Sequence, residues 1–259
     1  MPVQIDARPK DECLPAVAGS PLAGGRYSYL CEGELVPVKE HWQLWRQGQA
    51  FVIQSERWIE PLQASIAVQA VFRGQQLRVC LTRWLEGPGG QASASSLYRD
   101  TEGGLYRWRS RGQPASSVRS RHAHYFPLLR IFAGYLLTRL AQDGKKESEV
   151  LVPWIEQPQE RTRLFSPDFS RRRVSLGESG PWRGEGAQHA DSVLYHGGQY
   201  QDGSRYWLNC GLLLGYDWSQ AGRQWQVRLE DYRGHWPGAE LWQQRFGVTG
   251  RKLDAEQAP

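Results

Sequence analysis

The sequence predicts a mainly β fold: an antiparallel meander forming an incompletely closed barrel or strongly curved sheet, with one long apolar helix packed in or across its concave face. Three observations predict it. Short segments rich in β-branched and aromatic residues recur between Gly-containing turns over most of the chain. Within those segments residues alternate between two faces with a period of two. A single run, HAHYFPLLRIFAGYLLTRLAQDG, replaces that alternation with a helical pattern.

Taken in order, residues 1–24 carry Pro, Gly, Ala and charge without periodicity and are expected to be disordered. From Arg26 onward RYSYL, LVPVKEHWQLW, AFVIQSERWI, SIAVQAVF, QLRVCLTRWL, SLYRD and GLYRWRS read as strands, each expected to pair with the next. Alternation puts Phe51, Ile53, Ser55, Arg57 and Ile59 on one face, with Val52, Gln54, Glu56 and Trp58 on the other. Leu77, Val79, Leu81, Arg83 and Leu85 form a mostly apolar face opposite Arg78, Cys80, Thr82 and Trp84. A one-sided sheet sets apolar against plainly charged residues. Here the second face carries large amphipathic side chains, which makes it a candidate lining.

After an Arg-rich connection the helix is expected near 123–142, with Pro127 in its first turn and Gly144 just past its end. It is apolar on most sides, as a helix that plugs a sheet's concave side must be. SEVLVPWI, TRLFS, RRRVSLGE, SVLYHGGQY, SRYWLNC, GLLLGYDW and QWQVRLEDY then resume the β pattern, and residues 205–218 read as a hairpin turning near 209–211. Gly197 and Gly198, inside a strand-like run, mark a bulge or a close backbone approach. Residues 25–246 are thus expected to form a single β-rich domain, followed by a loose tail over 247–259.

The composition of the 259 residues excludes collagen-like, low-complexity and highly charged disordered classes. Its bias is toward 12 Trp, 11 Tyr and 7 Phe against one Met, and toward 27 Arg against 5 Lys. Arg stacks on aromatic faces and grips carboxylates or phosphates bidentately, so the excess fits recognition of an anion. It equally fits a GC-rich genome, since the net charge is only +5 and no basic block is long. Cys13, Cys31, Cys80 and Cys210 show no CxxC or Cys/His spacing, so neither a metal site nor a disulfide framework is expected. Cys80 and Cys210 read as inert core residues. The longest apolar run, near 125–140, is interrupted by Arg130 and Arg139 and is too short to span a membrane. The N-terminus is acidic where a signal peptide is basic, which points to a cytoplasmic protein. No cofactor is expected, and nothing specifies an oligomeric state.

The order of elements, a strand meander, one apolar helix and further strands, resembles the unclosed-barrel group of LolA- and LolB-like lipoprotein carriers, glycolipid-binding-like proteins and DUF3108-like proteins. The local likeness lies in SRYWLNCGLLLGYDW, similar to the late strand pair of that group, where an aromatic strand, a small turn and an apolar strand recur. The resemblance implies an unclosed barrel and an apolar ligand on its concave face. It brings no catalytic residue.

Three functional readings follow. The first is non-enzymatic binding of an apolar or amphipathic small molecule, such as a lipid, glycolipid or isoprenoid. Trp42, Trp45, Trp58, Trp84, Trp108, Trp154, Trp207 and Trp218 all fall in expected strands, each offering an apolar body and one N–H donor. The candidate ligand-binding residues are Trp42, Trp58, Trp84, Trp108 and Trp207, with Arg57, Arg83, Arg107 and Arg205 for an anionic head and Glu56 among the polar strand residues. Each Trp fits an ordinary core position equally. The second reading is single-stranded nucleic-acid binding through RWRSRG, RSRH and SRRR, although no RNP motif accompanies them. The third is a lyase or isomerase using Glu40, Glu56, Arg57 and the histidines, although no GxSxG, HExxH, Walker or GxGxxG pattern occurs.

Overall fold

A computed structural model of the chain describes residues 14, 16–88, 90–155, 163–182, 189–197 and 200–242. One sheet holds all the strands. The first half contributes β1 (Ala23–Cys31), β2 (Glu34–Gln47), β3 (Ala50–Ile59), β4 (Ala64–Arg73), β5 (Gln76–Glu86), β6 (Ala92–Arg99), β7 (Leu105–Arg109) and β8 (Ser116–Arg119). The second contributes β9 (His124–Tyr125), β10 (Ser148–Pro153), β11 (Pro167–Pro181), β12 (His189–Gly197), β13 (Tyr200–Asn209), β14 (Leu212–Gln220) and β15 (Arg223–Gly234).

From β1 to β8 and from β9 to β15 each strand pairs with its neighbour in sequence, and β1 pairs with β15, so the meander curls until its first and last strands meet. All pairs are antiparallel except β9 with β10. The sheet's two edges are β8 and β9, which are consecutive in the chain, so the open seam is crossed by residues 120–123. Both edges are short, 4 and 2 residues, which leaves little unpaired backbone for another chain to join. This is the expected unclosed, strongly curved sheet.

The helix differs from expectation. Residues 130–132 form a 3₁₀ turn and α1 covers Ala133–Asp143, so the helical stretch is short and starts well after Pro127. The reason is local. Proline disfavours helical backbone in the residue before it, Leu128 adopts φ 65°, and His124 and Tyr125 pair in parallel with Val150 and Leu151 of β10. Gly144, at φ 62°, ends the helix where expected. Of the remaining expected strands, the described part of TRLFS, residues 163–166, is not one: Leu164 and Phe165 lie in a turn and are buried, their carbonyls accepting from Ser110 and Tyr106. The hairpin of β13 and β14 turns through Cys210 and Gly211, both at positive φ, as a two-residue loop requires. That turn exposes Cys210, correcting its reading as a core residue, whereas Cys80 is fully buried.

α1 lies on the concave side, its Ala133, Leu136, Leu137 and Leu140 in one core with Tyr27, Trp42, Ile53, Phe72 and Val227 from the sheet. Cys80 and Trp84 of β5 join the same core, while Leu81 turns outward and is shielded on the sheet surface by its cross-strand neighbours Gln69 and Leu97. From Cys80 onward the inner face of β5 is therefore the amphipathic one, whereas before the register shift opposite Val71 and Phe72 it is Leu77 that joins the core and Arg78 that is exposed. An aromatic series closes one end: Phe72 contacts Phe132, Tyr135 and Trp242, and Trp236 bridges Trp242 to Trp42. At the other end of α1, Asp143 accepts hydrogen bonds from Ser148 (2.6 Å) and His124 (3.1 Å), tying the helix to β10 and β9.

Candidate functional site

Strand alternation turns Arg57 inward from β3, and at the paired position of β2 alternation turns Glu40 inward too. Glu40 is fully buried. One of its oxygens accepts from the Tyr29 hydroxyl (2.8 Å) and from Arg57 Nε and Nη2 (3.0 and 2.9 Å); the other accepts from the Arg130 backbone N–H (2.6 Å). This carboxylate therefore fixes the entry to α1 as well as the two strands. Burial opposes charge on Arg57, but Tyr29 and Glu40 outweigh it, and its pKa lies above the ordinary value. Burial pushes the Tyr29 hydroxyl well above its ordinary range, so it remains a donor to Glu40.

Beside this cluster opens a cavity of about 540 Å³ between α1 and β10 to β13. Its walls are Ala133, Leu136 and Leu137 of the helix, Val152 of β10, Tyr195 of β12 and Tyr206 of β13. Trp154 stands at its rim, 45% exposed. Polar groups enter from β3, from the turn before α1, and from β11, as Arg57, Arg130, Asp168, Ser170 and Arg172. The size falls in the range of small-molecule sites, about 300 to 1,000 Å³, and a mostly apolar lining with a few convergent polar groups is the usual design of such sites.

Arg172 is placed by a bulge. The pairing of β12 and β13 shifts register between Tyr195 and Gly197, and Gly197 adopts φ 117°. A Cβ at Gly197 would sit 2.4 Å from the Arg171 carbonyl oxygen and 2.9 Å from Arg172 Cδ, so only glycine lets β11 come this close. Gly197 thus marks both a bulge and a close backbone approach, while Gly198 lies outside the described residues.

The expected site residues are dispersed. Arg57 lines the cavity. Trp42 and Trp84 are buried core residues, and Trp108 stacks on Tyr106 on the inner side of β7. Trp58 and Glu56 lie on the face of β3 opposite Arg57. Arg83 and Arg107 are exposed on the outer surface. Trp207 and Arg205 border a different groove, of about 580 Å³, on the outer side of β12 to β15, with Trp182 against Trp207 at 5.7 Å. Arg130, Arg172 and Asp168 were missed. Arg130 was hidden inside a helical run and Arg172 inside a basic strip; only the bulge at Gly197 hinted at something packed closely there.

The arrangement bears on the other two readings. Tyr106 and Trp108 point inward while Arg107 and Arg109 between and beside them are exposed, so β7 does not present bases with aromatics and cations on one face. Glu56 and Arg57 point to opposite faces, His41 is on the outer surface opposite Glu56, and His124 is engaged by Asp143. Of the residues named for catalysis, Glu40 and Arg57 meet as a buried ion pair, while Glu56, His41 and His124 lie apart from them. Among the described residues no cluster of three or more His, Cys, Asp or Glu could hold a metal ion, and no helix is long and apolar enough to cross a membrane.

Fold and site together define an unclosed, barrel-like β sheet with an interior helix and a cavity beside it. No protein-family model matches the chain, and no curated protein matches it. Among solved structures it is similar to a beta-barrel-like protein of a domain of unknown function, DUF1849, from Brucella abortus, with 6% identity and a TM-score of 0.49 over 82% of this chain and 97% of that one.

Proposed function

We propose that the chain binds an apolar or amphipathic small molecule in the concave cavity and holds or carries it without acting on it chemically. The observation that carries this reading is the cavity itself: the interior helix leaves about 540 Å³ beside α1, lined mainly by Leu136, Leu137, Val152, Tyr195 and Tyr206. A helix that merely filled the sheet would leave no such space, since protein interiors are otherwise close-packed. The resemblance of SRYWLNCGLLLGYDW to the LolA- and LolB-like group points the same way.

Titration with the neutral apolar fluorophore N-phenyl-1-naphthylamine tests it. Saturable enhancement is expected in the native chain and its loss in Leu137→Trp, whose indole would occupy the cavity. Absence of saturable binding to the native chain, or equal binding by Leu137→Trp, would overturn the reading. Native mass spectrometry of freshly purified protein then identifies what co-purifies.

A further inference from the structure

Resting on the reading of the concave cavity as a small-molecule site, we propose that its ligand carries an oxyanion head, a carboxylate or a phosphate, received by Arg172 beside Arg130 while its apolar chain lies along α1. Arg172 is 7% exposed, and its Nε is buried with no hydrogen-bond partner among the described residues. A guanidinium buried in this way is costly unless an acceptor completes it. The strand has been shaped to keep it there: the Gly197 bulge admits its stem, and the guanidinium lies over the Tyr195 ring at 5.8 Å.

Charge in the cavity wall is unbalanced in the same sense. Among the described residues Arg57, Arg130 and Arg172 line it with one carboxylate, Asp168, and Glu40 behind the wall already takes both donors that Arg57 offers it. Arg130 is held over Tyr216 at 4.9 Å and Tyr29 at 5.8 Å, so its charge is positioned by ring faces. Rigidly placed guanidinium groups suit a planar or tetrahedral oxyanion, which they engage through paired N–H donors. Leu136, Leu137 and Val152 supply the apolar remainder.

Calorimetric titration of the full chain with dodecanoate, dodecyl phosphate and dodecanol, each below its aggregation threshold, tests the head group at constant tail. At least one anionic member is expected to bind about 10- to 100-fold tighter than the alcohol, the gain of a charge-assisted hydrogen bond. Which anion wins distinguishes a fatty-acid-like from a phospholipid-like head. In Arg172→Gln the anionic preference should collapse, measured against dodecanol binding by the same variant, which checks that the cavity is intact; Arg172→Lys should keep part of it. Equal binding of all three by the native chain would overturn this proposal and leave the cavity reading standing, whereas binding of none would overturn both. An undiminished preference in Arg172→Gln would overturn the role of Arg172. Should that variant not fold, Arg172→Lys and the native acid-to-alcohol ratio decide.

Discussion

Glu40 and Arg57 occupy directly opposed positions of β2 and β3, and both Nε and Nη2 of Arg57 donate to one oxygen of the Glu40 carboxylate. The other oxygen receives the Arg130 N–H, 90 residues away in sequence. The pair therefore joins the early meander to the start of α1 and sets one wall of the cavity. Buried ion pairs add little net stability over well-packed apolar residues, but removing one partner leaves the other's charge uncompensated.

Glu40→Ala is accordingly expected to cost about 3 to 5 kcal/mol in urea or guanidinium unfolding, since Arg57, Tyr29 and the Arg130 N–H all lose their acceptor. Adding Arg57→Met to Glu40→Ala should recover a substantial part. A double variant as unstable as the single one would show that the other two donors, rather than the ion pair, set the cost.

Gly197→Ala combines a strained positive φ with a collision against the Arg171 carbonyl. Such a change is expected to destabilise by about 1 to 3 kcal/mol and to displace Arg172. The discriminating measurement is binding in that variant at a temperature where it is still folded: affinity for an anionic amphiphile should fall more than affinity for the alcohol.

How much of this was legible follows from the range of each signal. Alternation across 51–59 assigned Phe51, Ile53 and Arg57 to one face correctly, because a pleated strand fixes its own side-chain directions whatever it pairs with. Gly144 was legible for the same reason, as a local backbone requirement. The inner face of β5 was not, because a register shift between Leu77 and Val79 switches the faces and Leu81 takes shelter from cross-strand neighbours, neither of which periodicity within one strand reveals. The early start assigned to the helix failed on parallel pairing of His124 and Tyr125 with a strand more than twenty residues later. The site was least legible: Arg57 could be named from its strand, but Arg130 and Arg172 become cavity residues only when the second half of the meander curls back upon α1.

Asp143 predicts an acid sensitivity. Its carboxyl pKa is lowered from 3.8 to about 2, chiefly by the Ser148 hydrogen bond, with burial opposing and His124 and Lys145 assisting. A carboxyl whose folded pKa is depressed contributes stability that is present above 3.8 and is lost as pH falls toward about 2. Partly exposed as it is, the contribution should be about 1 to 2 kcal/mol. Urea midpoints of the native chain and Asp143→Asn should differ near neutrality and converge over that acid window. A difference that persists unchanged to the bottom of the window would mean that steric fit, and not charge, holds α1 to β9 and β10.

The thiols provide a probe of global opening. In a Cys13→Ser background, Cys210 is exposed at the β13–β14 turn, while Cys31 and Cys80 are buried. Burial pushes the Cys80 thiol up to about 12, so the reactive thiolate is scarce at ordinary pH even when reagent arrives. Labelling with a chromogenic disulfide at mildly alkaline pH is expected to show one fast equivalent, from Cys210, and a slow phase from the other two.

The packing of α1 on the late hairpin rests on Gly134, where a Cβ would lie 1.8 Å from the Gly211 carbonyl oxygen. That oxygen already accepts from Trp242 Nε1 at 2.9 Å, so it has little freedom to retreat. Alanine is intrinsically the better helix former by about 1 kcal/mol, and on an isolated helix Gly134→Ala would stabilise. Within the sheet the collision must dominate: the helix has to shift, and with it the Phe72, Tyr135 and Trp242 contacts that close the end of the core. Overpacking of this kind costs about 1 to 3 kcal/mol. Guanidinium unfolding followed by Trp fluorescence should give a lower midpoint for Gly134→Ala with a shifted native emission. A higher midpoint would mean that α1 sits farther from Gly211 than these contacts require.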